Sequence, residues 1–488
     1  MSKDAIEGLE PKLVWEYFYG MTQVPRPSKK EEKIRAHVRE FATNNNFEFN
    51  EDEVGNIVIK VPATPGYESA PTIVIQGHLD MVCEKNKATI HDFENDPLKI
   101  YREDDWITAE GTTLGADNGI GVAAGMAIAT DRTAIHGPLE LLCTIDEETG
   151  MTGVNALKPG FITGMTLLNL DSEEDGAFYV GCSGGQDTRG VFELDYTNND
   201  TNLTAYNLMV SGLKGGHSGL DIANGRANAI RLLAQLLNRI ELTVEFELSA
   251  ISGGSLRNAI PRESEVTILL NPNDEAKVTE ICNKFVADTL LEFNVYDNGL
   301  KVILTKTDEK VEKIFKKEFV VNLIKVLLAA PHGIMAMSPD IPGLVETSTN
   351  LATIGIVENK LVIATSQRSA INSAKVNISN MLKSVFELGG AVKVEMSDGY
   401  PGWQPNLDSK LLKISKEVYK ELNNFEPKIK AIHAGLETGL LGAKYPGIDM
   451  ISFGPTIEGA HSPDERLNIT ATAKFYNLVK AILLKYAN

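Results

Sequence analysis

Cysteine is scarce in this chain: four residues in 488, Cys83, Cys143, Cys182 and Cys282, with no Cys-x-x-Cys spacing among them. That argues against a disulfide framework or a thiolate metal cluster and for a reducing compartment. Long apolar runs are lacking too. No uncharged apolar stretch approaches the roughly 18 residues that cross a bilayer, and the opening Met1-Ser2-Lys3-Asp4-Ala5-Ile6-Glu7 has no apolar signal-peptide core. Positive charge is in deficit, with 47 Lys and Arg against 66 Asp and Glu and a formal net charge of −19. Such a surface repels phosphate backbones. The densest basic run, Lys313, Lys316, Lys317 and Lys325, is interrupted by acids and apolar residues and reads as a solvated helix face. The expectation is a cytoplasmic protein with no nucleic-acid partner and no membrane partner.

What is present suits a globular protein. Hydrophobic residues make up 43% and charged residues 23%, enough to bury sizeable cores, and at about 150 residues per domain the length predicts two or three units. The opening reads as two amphipathic helices, near 12–21 and 29–42, with Ser28 and Glu31 as a capping box for the second. Strands are expected at 57–61, 72–76, 139–145, 166–170 and 178–180, with a helix over 118–129 among them. This rhythm predicts a mixed sheet with helices on its faces.

The pattern changes after Cys182-Ser183-Gly184-Gly185. Strands near 206–211, 244–250, 266–270 and 302–304 accompany helices near 223–239, 275–292 and 311–330. A second set, with strands at 353–357, 361–366 and 392–395 and a helix over 374–387, suggests a pair of related α+β subdomains. Residues 397–405 are turn-rich and read as a domain crossing, followed by helices over 411–423 and 471–486 and a strand at 450–453. The expected organisation is one domain in two parts, 1–187 and 398–488, interrupted by an inserted domain at 188–397.

The residues that carry chemistry stand just after predicted strands, where loops project side chains into a shared crevice. His78-Leu79-Asp80 ends the strand at 72–76, Asp117 opens a helix in Gly115-Ala116-Asp117-Asn118-Gly119, Asp146-Glu147-Glu148 follows one strand and Asp171-Ser172-Glu173-Glu174 another. Taken singly each has a plain explanation. Glu147-Glu148 is an acidic turn, Asp117 a helix cap and residues 171–175 a surface loop, just as His37, His91, His136 and His332 read as surface or hydrogen-bonded histidines. Four such groups at strand ends are another matter, because carboxylates held out of water cost several kcal/mol unless something cationic neutralises them. Imidazole and carboxylate without thiolate suit Zn²⁺, Mn²⁺ or Co²⁺.

These segments, with Gly454-Pro455 and Gly459-Ala460-His461-Ser462-Pro463-Asp464-Glu465, resemble the five signatures of the co-catalytic zinc peptidases that include aminoacylases, carnosinases and glutamate-releasing carboxypeptidases. The resemblance implies an α/β, mixed-sheet di-metal catalytic domain with an inserted α+β lid domain. It implies two divalent ions, zinc with cobalt or manganese as alternatives, held by His78 and Asp171 on one side and Glu148 and His461 on the other, with Asp117 bridging. Asp80 would orient His78, and Glu147 would be the general base. His217, in Gly215-Gly216-His217-Ser218-Gly219, resembles a lid histidine that meets a developing oxyanion. Asn258 and Arg368 would meet substrate polar groups, an Arg being suited to a free carboxylate, and His433 and Gly435 in His433-Ala434-Gly435-Leu436-Glu437 would lie near the substrate's C-terminal end. The activity implied is hydrolysis of unblocked dipeptides, Xaa-His among them, with a homodimer as a possible assembly. The same scaffold also serves N-acyl-amino-acid amidohydrolases, and a binding protein that has lost turnover is the third alternative.

Overall fold

The apolar runs after residue 56 become strands buried on both faces, as their near-continuous hydrophobicity requires. In Ile57–Val61 nearly every residue is buried, and in Ile73–His78, Leu139–Thr144 and Thr166–Asn169 all are. The computed structural model describes residues 3–488, which divide into two units, one of residues 3–181, Pro405–Ala431 and Leu436–Asn488, the other of Cys182–Gln404 with the short return Ile432–Gly435.

The first unit is built on an eight-stranded mixed sheet in the order Glu48–Glu51, Ile57–Val61, Leu139–Thr144, Ile73–His78, Thr166–Asn169, Asp449–Ser452, Ala177–Cys182 and Lys428–Ile432. Four neighbours, from Leu139–Thr144 to Asp449–Ser452, run parallel, so their C-terminal ends open at one edge. The late strand Asp449–Ser452 pairs with Thr166–Asn169, Met450 facing Leu167, and the last part of the chain thereby completes the first sheet. The helix Ala116–Thr130 is buried along most of its length. A β-carbon at Gly121 would lie 2.2 Å from the carbonyl oxygen of Leu170, and this close approach sets the start of the helix against the strand end that carries Asp171.

One local expectation is overturned. Ser28 does not cap the second helix, which runs Glu32–Asn44 without a side-chain cap. Its hydroxyl donates instead to Asp80 Oδ2 at 2.7 Å, while Glu31 Oε1 accepts from the amides of Lys29 and Asp146. A buried carboxylate competes better for the hydroxyl than an amide that water can reach.

The second unit holds one nine-stranded sheet rather than two subdomains. Its order is Lys301–Lys306, Thr204–Ser211, Ser264–Leu270, Phe246–Gly253, Val345–Val357, Lys360–Ser369, Gly184–Glu193 and Lys393–Met396, with Gly333–Met337 also on Val345–Val357. The long strand Val345–Val357 joins both sets, meeting Phe246–Gly253 at Ile354 and Lys360–Ser369 along its length. A common core of Leu208, Leu236, Leu248, Ile268, Leu361, Leu382 and Phe386 backs it. The helix expected over 311–330 is interrupted too. Lys313–Phe315 is a strand paired with Tyr196–Asn198, and the helix is Lys317–Ala329. The basic run is therefore not one helix face: Lys316 pairs with Asp195 and Lys317 with Glu245. Among the described residues no helix is long and apolar enough to cross a membrane.

Candidate active site

Parallel strands end with their last side chains and following loops at one edge of the sheet, the position that open α/β sheets use for ligands. Here Ile73–His78 delivers His78, the turn after Leu139–Thr144 delivers Glu147 and Glu148, and the loop after Thr166–Asn169 delivers Asp171. Asp117 comes from the start of Ala116–Thr130, and His461 from the loop after Ile457–Glu458, with a left-handed φ of 63°.

The resulting cluster has Asp117 at its centre. Its Oδ1 lies 3.1 Å from His78 Nε2 and its Oδ2 3.2 Å from His461 Nε2. Asp171 Oδ1 is 3.4 Å from His78 Nε2, and Glu148 Oε2 is 3.1 Å from His461 Nε2. Two triads share the central residue, His78 with Asp117 and Asp171, and Asp117 with Glu148 and His461, and in each the candidate ligand atoms lie within 4.8 Å of one another. Glu147 forms a further group of the same closeness with His78 and Glu148.

The electrostatics of this cluster are unbalanced. Burial opposes the protonated form of His78, yet Asp171 and Asp117 outweigh it and hold its pKa well above the usual imidazole value. Hydrogen bonds to Asp117 and Glu148 raise His461 to about 11. Asp171, buried among like charges, is pushed up to about 6 despite His78, and burial drives Glu147 well above the carboxylate range. Among the described residues, Glu148 Oε1 is buried without a hydrogen-bond partner, and buried Asp171 Oδ1 has nothing nearer than the 3.4 Å approach of His78 Nε2. Buried oxygens short of hydrogen-bond donors beside imidazole nitrogens form a donor set that fits divalent cations, which would relieve the repulsion and lower the carboxyl pKa values.

A second layer of bonds fixes these loops. His78 Nδ1 lies 3.1 Å from the Asp80 carbonyl oxygen and 3.4 Å from Asp80 Oδ1. The Asp80 carboxylate accepts from the amides of Glu147 at 3.0 Å and Glu148 at 3.2 Å, so one residue ties the histidine loop to the acidic turn. Burial works against its charge, but the bonds from His78 and Ser28 bring its pKa to about 2.

Two further positioning groups escaped the sequence reading. Glu465 is buried, and its carboxylate accepts from four consecutive amides, those of Leu114, Gly115, Ala116 and Asp117, at 2.7 to 3.3 Å. Four residues after His461, it therefore joins the His461 loop to the backbone of Asp117. Arg26, also buried, donates to the carbonyl oxygens of Leu79, Asp80 and Gly115. The sequence signal is thin: Glu465 closes the segment that carries His461, and Arg26 stands between two prolines. Glu465→Gln replaces an acceptor oxygen by an amino group that cannot take up the amides. We expect it to lower the melting temperature by several degrees, for a loss of about 1–3 kcal/mol, and to weaken metal retention on dialysis. Calorimetry and metal analysis check this, and wild-type values in both would dismiss the clamp.

The motif at 433–437 is divided between the units. Glu437 belongs to the first, wholly buried, accepting from Gln76 Nε2 at 2.6 Å and Thr144 Oγ1 at 2.7 Å, with burial raising its pKa to about 8. His433 and Gly435 belong to the second. His433 is buried with Ser183 Oγ 2.8 Å from Nδ1 and Ser348 Oγ 2.7 Å from Nε2, so both ring nitrogens are engaged.

Burial, with Arg368 adding to it, lowers the pKa of His433 from 6.5 to about 3. Between those values the unfolded chain binds a proton that the folded unit refuses. Stability present above pH 6.5 is therefore lost as the pH falls towards 3. Urea unfolding at pH 7 and pH 4.5 is expected to show a larger loss in the wild type than in His433→Gln, and equal losses would remove this residue from the account.

The second unit also carries His217, Asn258 and Arg368. His217 Nδ1 accepts from the amides of Gly219 at 3.2 Å and Leu220 at 3.1 Å, which leaves the proton of the neutral ring on Nε2. Burial and Arg368 lower its pKa and favour that neutral form. Asn258 and Arg368 line one cleft of about 110 Å³ with Arg257, Ser366 and Tyr400.

The chain belongs to peptidase family M20/M25/M40, whose model matches residues 74–485. It is 39% identical over 476 residues to the cytosol non-specific dipeptidase of Escherichia coli (strain K12), covering 97% of this chain and 98% of that one. The crystal structure of aminoacylhistidine dipeptidase from Vibrio alginolyticus is similar with a TM-score of 0.91 and 40% identity over 99% of both chains. Aminopeptidase PepT of Bacillus cereus, 17% identical with a TM-score of 0.57 over 98% of this chain and 100% of that one, shares the fold.

Proposed function

We propose that this chain is a metal-dependent dipeptidase that hydrolyses unblocked dipeptides, Xaa-His among them, with two divalent ions at the cluster around Asp117. The observation that carries this reading is the sharing of Asp117 between two ligand triads, one carboxylate oxygen towards each histidine. In the proposal His78 and Asp171 would hold one ion and Glu148 and His461 the other, with Asp117 a ligand common to both sites. Two divalent cations would balance the four carboxylates of Asp117, Glu147, Glu148 and Asp171. Zinc is favoured by the His and carboxylate donors, with cobalt or manganese as alternatives.

Bound there, the ions would supply Lewis acidity for the scissile carbonyl and for the attacking water. The rest falls to side chains. Glu147 is the general base, taking the proton of the attacking water on its carboxylate and passing it to the leaving amine. It stands beside Glu148 and close to His78 but in neither triad that contains Asp117, which leaves its carboxylate free to take a proton. Asp80 holds the His78 imidazole and the Glu147 amide in register. From the second unit, the Nε2 proton of His217 is assigned to the oxyanion, and Asn258, Arg368 and the His433–Gly435 turn to the substrate's C-terminal end. The name of the similar Escherichia coli protein, a cytosol non-specific dipeptidase, supports this substrate class and a cytoplasmic setting.

Release of histidine from Ala-His by zinc- or cobalt-loaded protein tests the proposal, with chelated protein and N-acetyl-histidine alongside. Metal-dependent cleavage of the dipeptide alone is the expected result. Cleavage of the acetylated compound instead would make the chain an amidohydrolase, and dipeptide binding without cleavage would make it a binding protein.

A further inference from the structure

Among the described residues the buried guanidinium of Arg368 has no acidic partner. On the strand Lys360–Ser369 it is 7% exposed, its Nη1 donates to the Tyr400 hydroxyl at 3.1 Å, and its Nε is buried with no hydrogen-bond partner. A buried cation in this state is costly and is relieved by an anion. Arg257, in the same cleft, is already neutralised by Asp187 at 2.7 Å, so Arg368 is the cation left for a ligand.

The group that touches Arg368 is held with unusual firmness. The Tyr400 amide donates to the Gly185 carbonyl at 2.9 Å, and the Gly185 amide returns a bond to the Tyr400 carbonyl at 3.1 Å. The buried ammonium of Lys375 donates to that same carbonyl oxygen. The ring lies between two glycines. A β-carbon at Gly185 would stand 2.6 Å from Tyr400 Cε1, and one at Gly435 would stand 2.9 Å from Cε2. Either contact would displace the ring, so glycine at both positions lets the phenol sit where it does. With backbone and both ring edges fixed, the hydroxyl is a stationary acceptor for one arm of the guanidinium.

We propose that Tyr400 is a positioning residue for the substrate's free carboxylate: its hydroxyl fixes the guanidinium of Arg368 so that the remaining N–H groups meet the carboxylate in the cleft. This rests on the dipeptidase reading, and it gives the turn at 397–405 a part in recognition. A planar fork binds both oxygens of a carboxylate only when its orientation is set, and a fixed acceptor on Nη1 sets it.

Tyr400→Phe tests the proposal, because it keeps the ring between the glycines and removes only the hydroxyl. In the metal-loaded variant the ratio of kcat/KM for Ala-His to that for Ala-His amide is expected to fall about tenfold, the loss carried mainly by KM, as for one hydrogen bond to a charged group. Paired with Arg368→Lys, it is expected to cost less than the sum of the two single changes. Equal losses on both substrates, a loss carried by kcat alone, or additive effects would overturn the role. Calorimetric binding of the two compounds reads the same preference without turnover. If the wild type cleaves no dipeptide, the dipeptidase reading fails, and the inference is judged on binding: a preference for the free acid that Tyr400→Phe erases upholds it, and equal affinities in the wild type overturn it.

Discussion

Glu147→Gln is expected to remove nearly all dipeptide hydrolysis, about 10³-fold or more in kcat, while metal content and melting temperature stay close to wild type. The argument rests on what the Glu147-Glu148 pair does in the structure. Both amides are held by Asp80, so the backbone is committed to presenting both side chains whatever stands at either position. Glu148 turns to His461 at 3.1 Å, within the second ligand triad. Glu147 belongs to no triad that includes Asp117, so its carboxylate is not committed to the shared centre. An amide of the same shape fills the same space and accepts no proton. Turnover measured on protein whose metal content has been determined separates the outcomes: a variant that keeps both ions and still hydrolyses at the wild-type rate would end the general-base assignment.

Asp117→Ala is expected to act on the other half of the mechanism, lowering the metal content of dialysed protein from two ions to fewer than one per chain and abolishing activity. Asp117 is the only residue common to both triads, so its loss withdraws an oxygen from each site at once. It also leaves the imidazoles of His78 and His461 without the acceptor that both approach within 3.2 Å. The effect on affinity should exceed the roughly 10–100-fold typical of losing an outer partner of a metal ligand. Glu465 and Arg26 hold the neighbouring backbone independently of the Asp117 side chain, so the loop should keep its course. Metal analysis with circular dichroism checks this, and two retained ions would refute the shared-ligand role.

Much of the first unit was legible because its signals are local. Ile57–Val61 forms at the bounds that its apolar run predicts, and Leu139–Thr144 and Thr166–Asn169 each fall within a residue of expectation. These runs are short, bounded by turns and too apolar to lie anywhere but inside a sheet. The second unit is less legible. The join between its two sets of strands depends on which edges meet, and the Gly253 to Ile354 pairing has no signature in either segment. The capping box at Ser28 failed because the competing acceptor, Asp80, lies 52 residues away.

The sequence by itself determined the types of side chain at the strand ends, and so the chemistry: carboxylates and imidazoles where apolar strands stop require compensating charge, whichever loops carry them. Only the tertiary structure decided that Asp117 stands between His78 and His461, that Glu465 grips four amides 348 to 351 residues away, and that Tyr400 reaches Arg368 between two glycines. Chemical type is a property of each residue. Distance and orientation between residues far apart in the chain arise from how sheets and helices pack, and no local pattern encodes them.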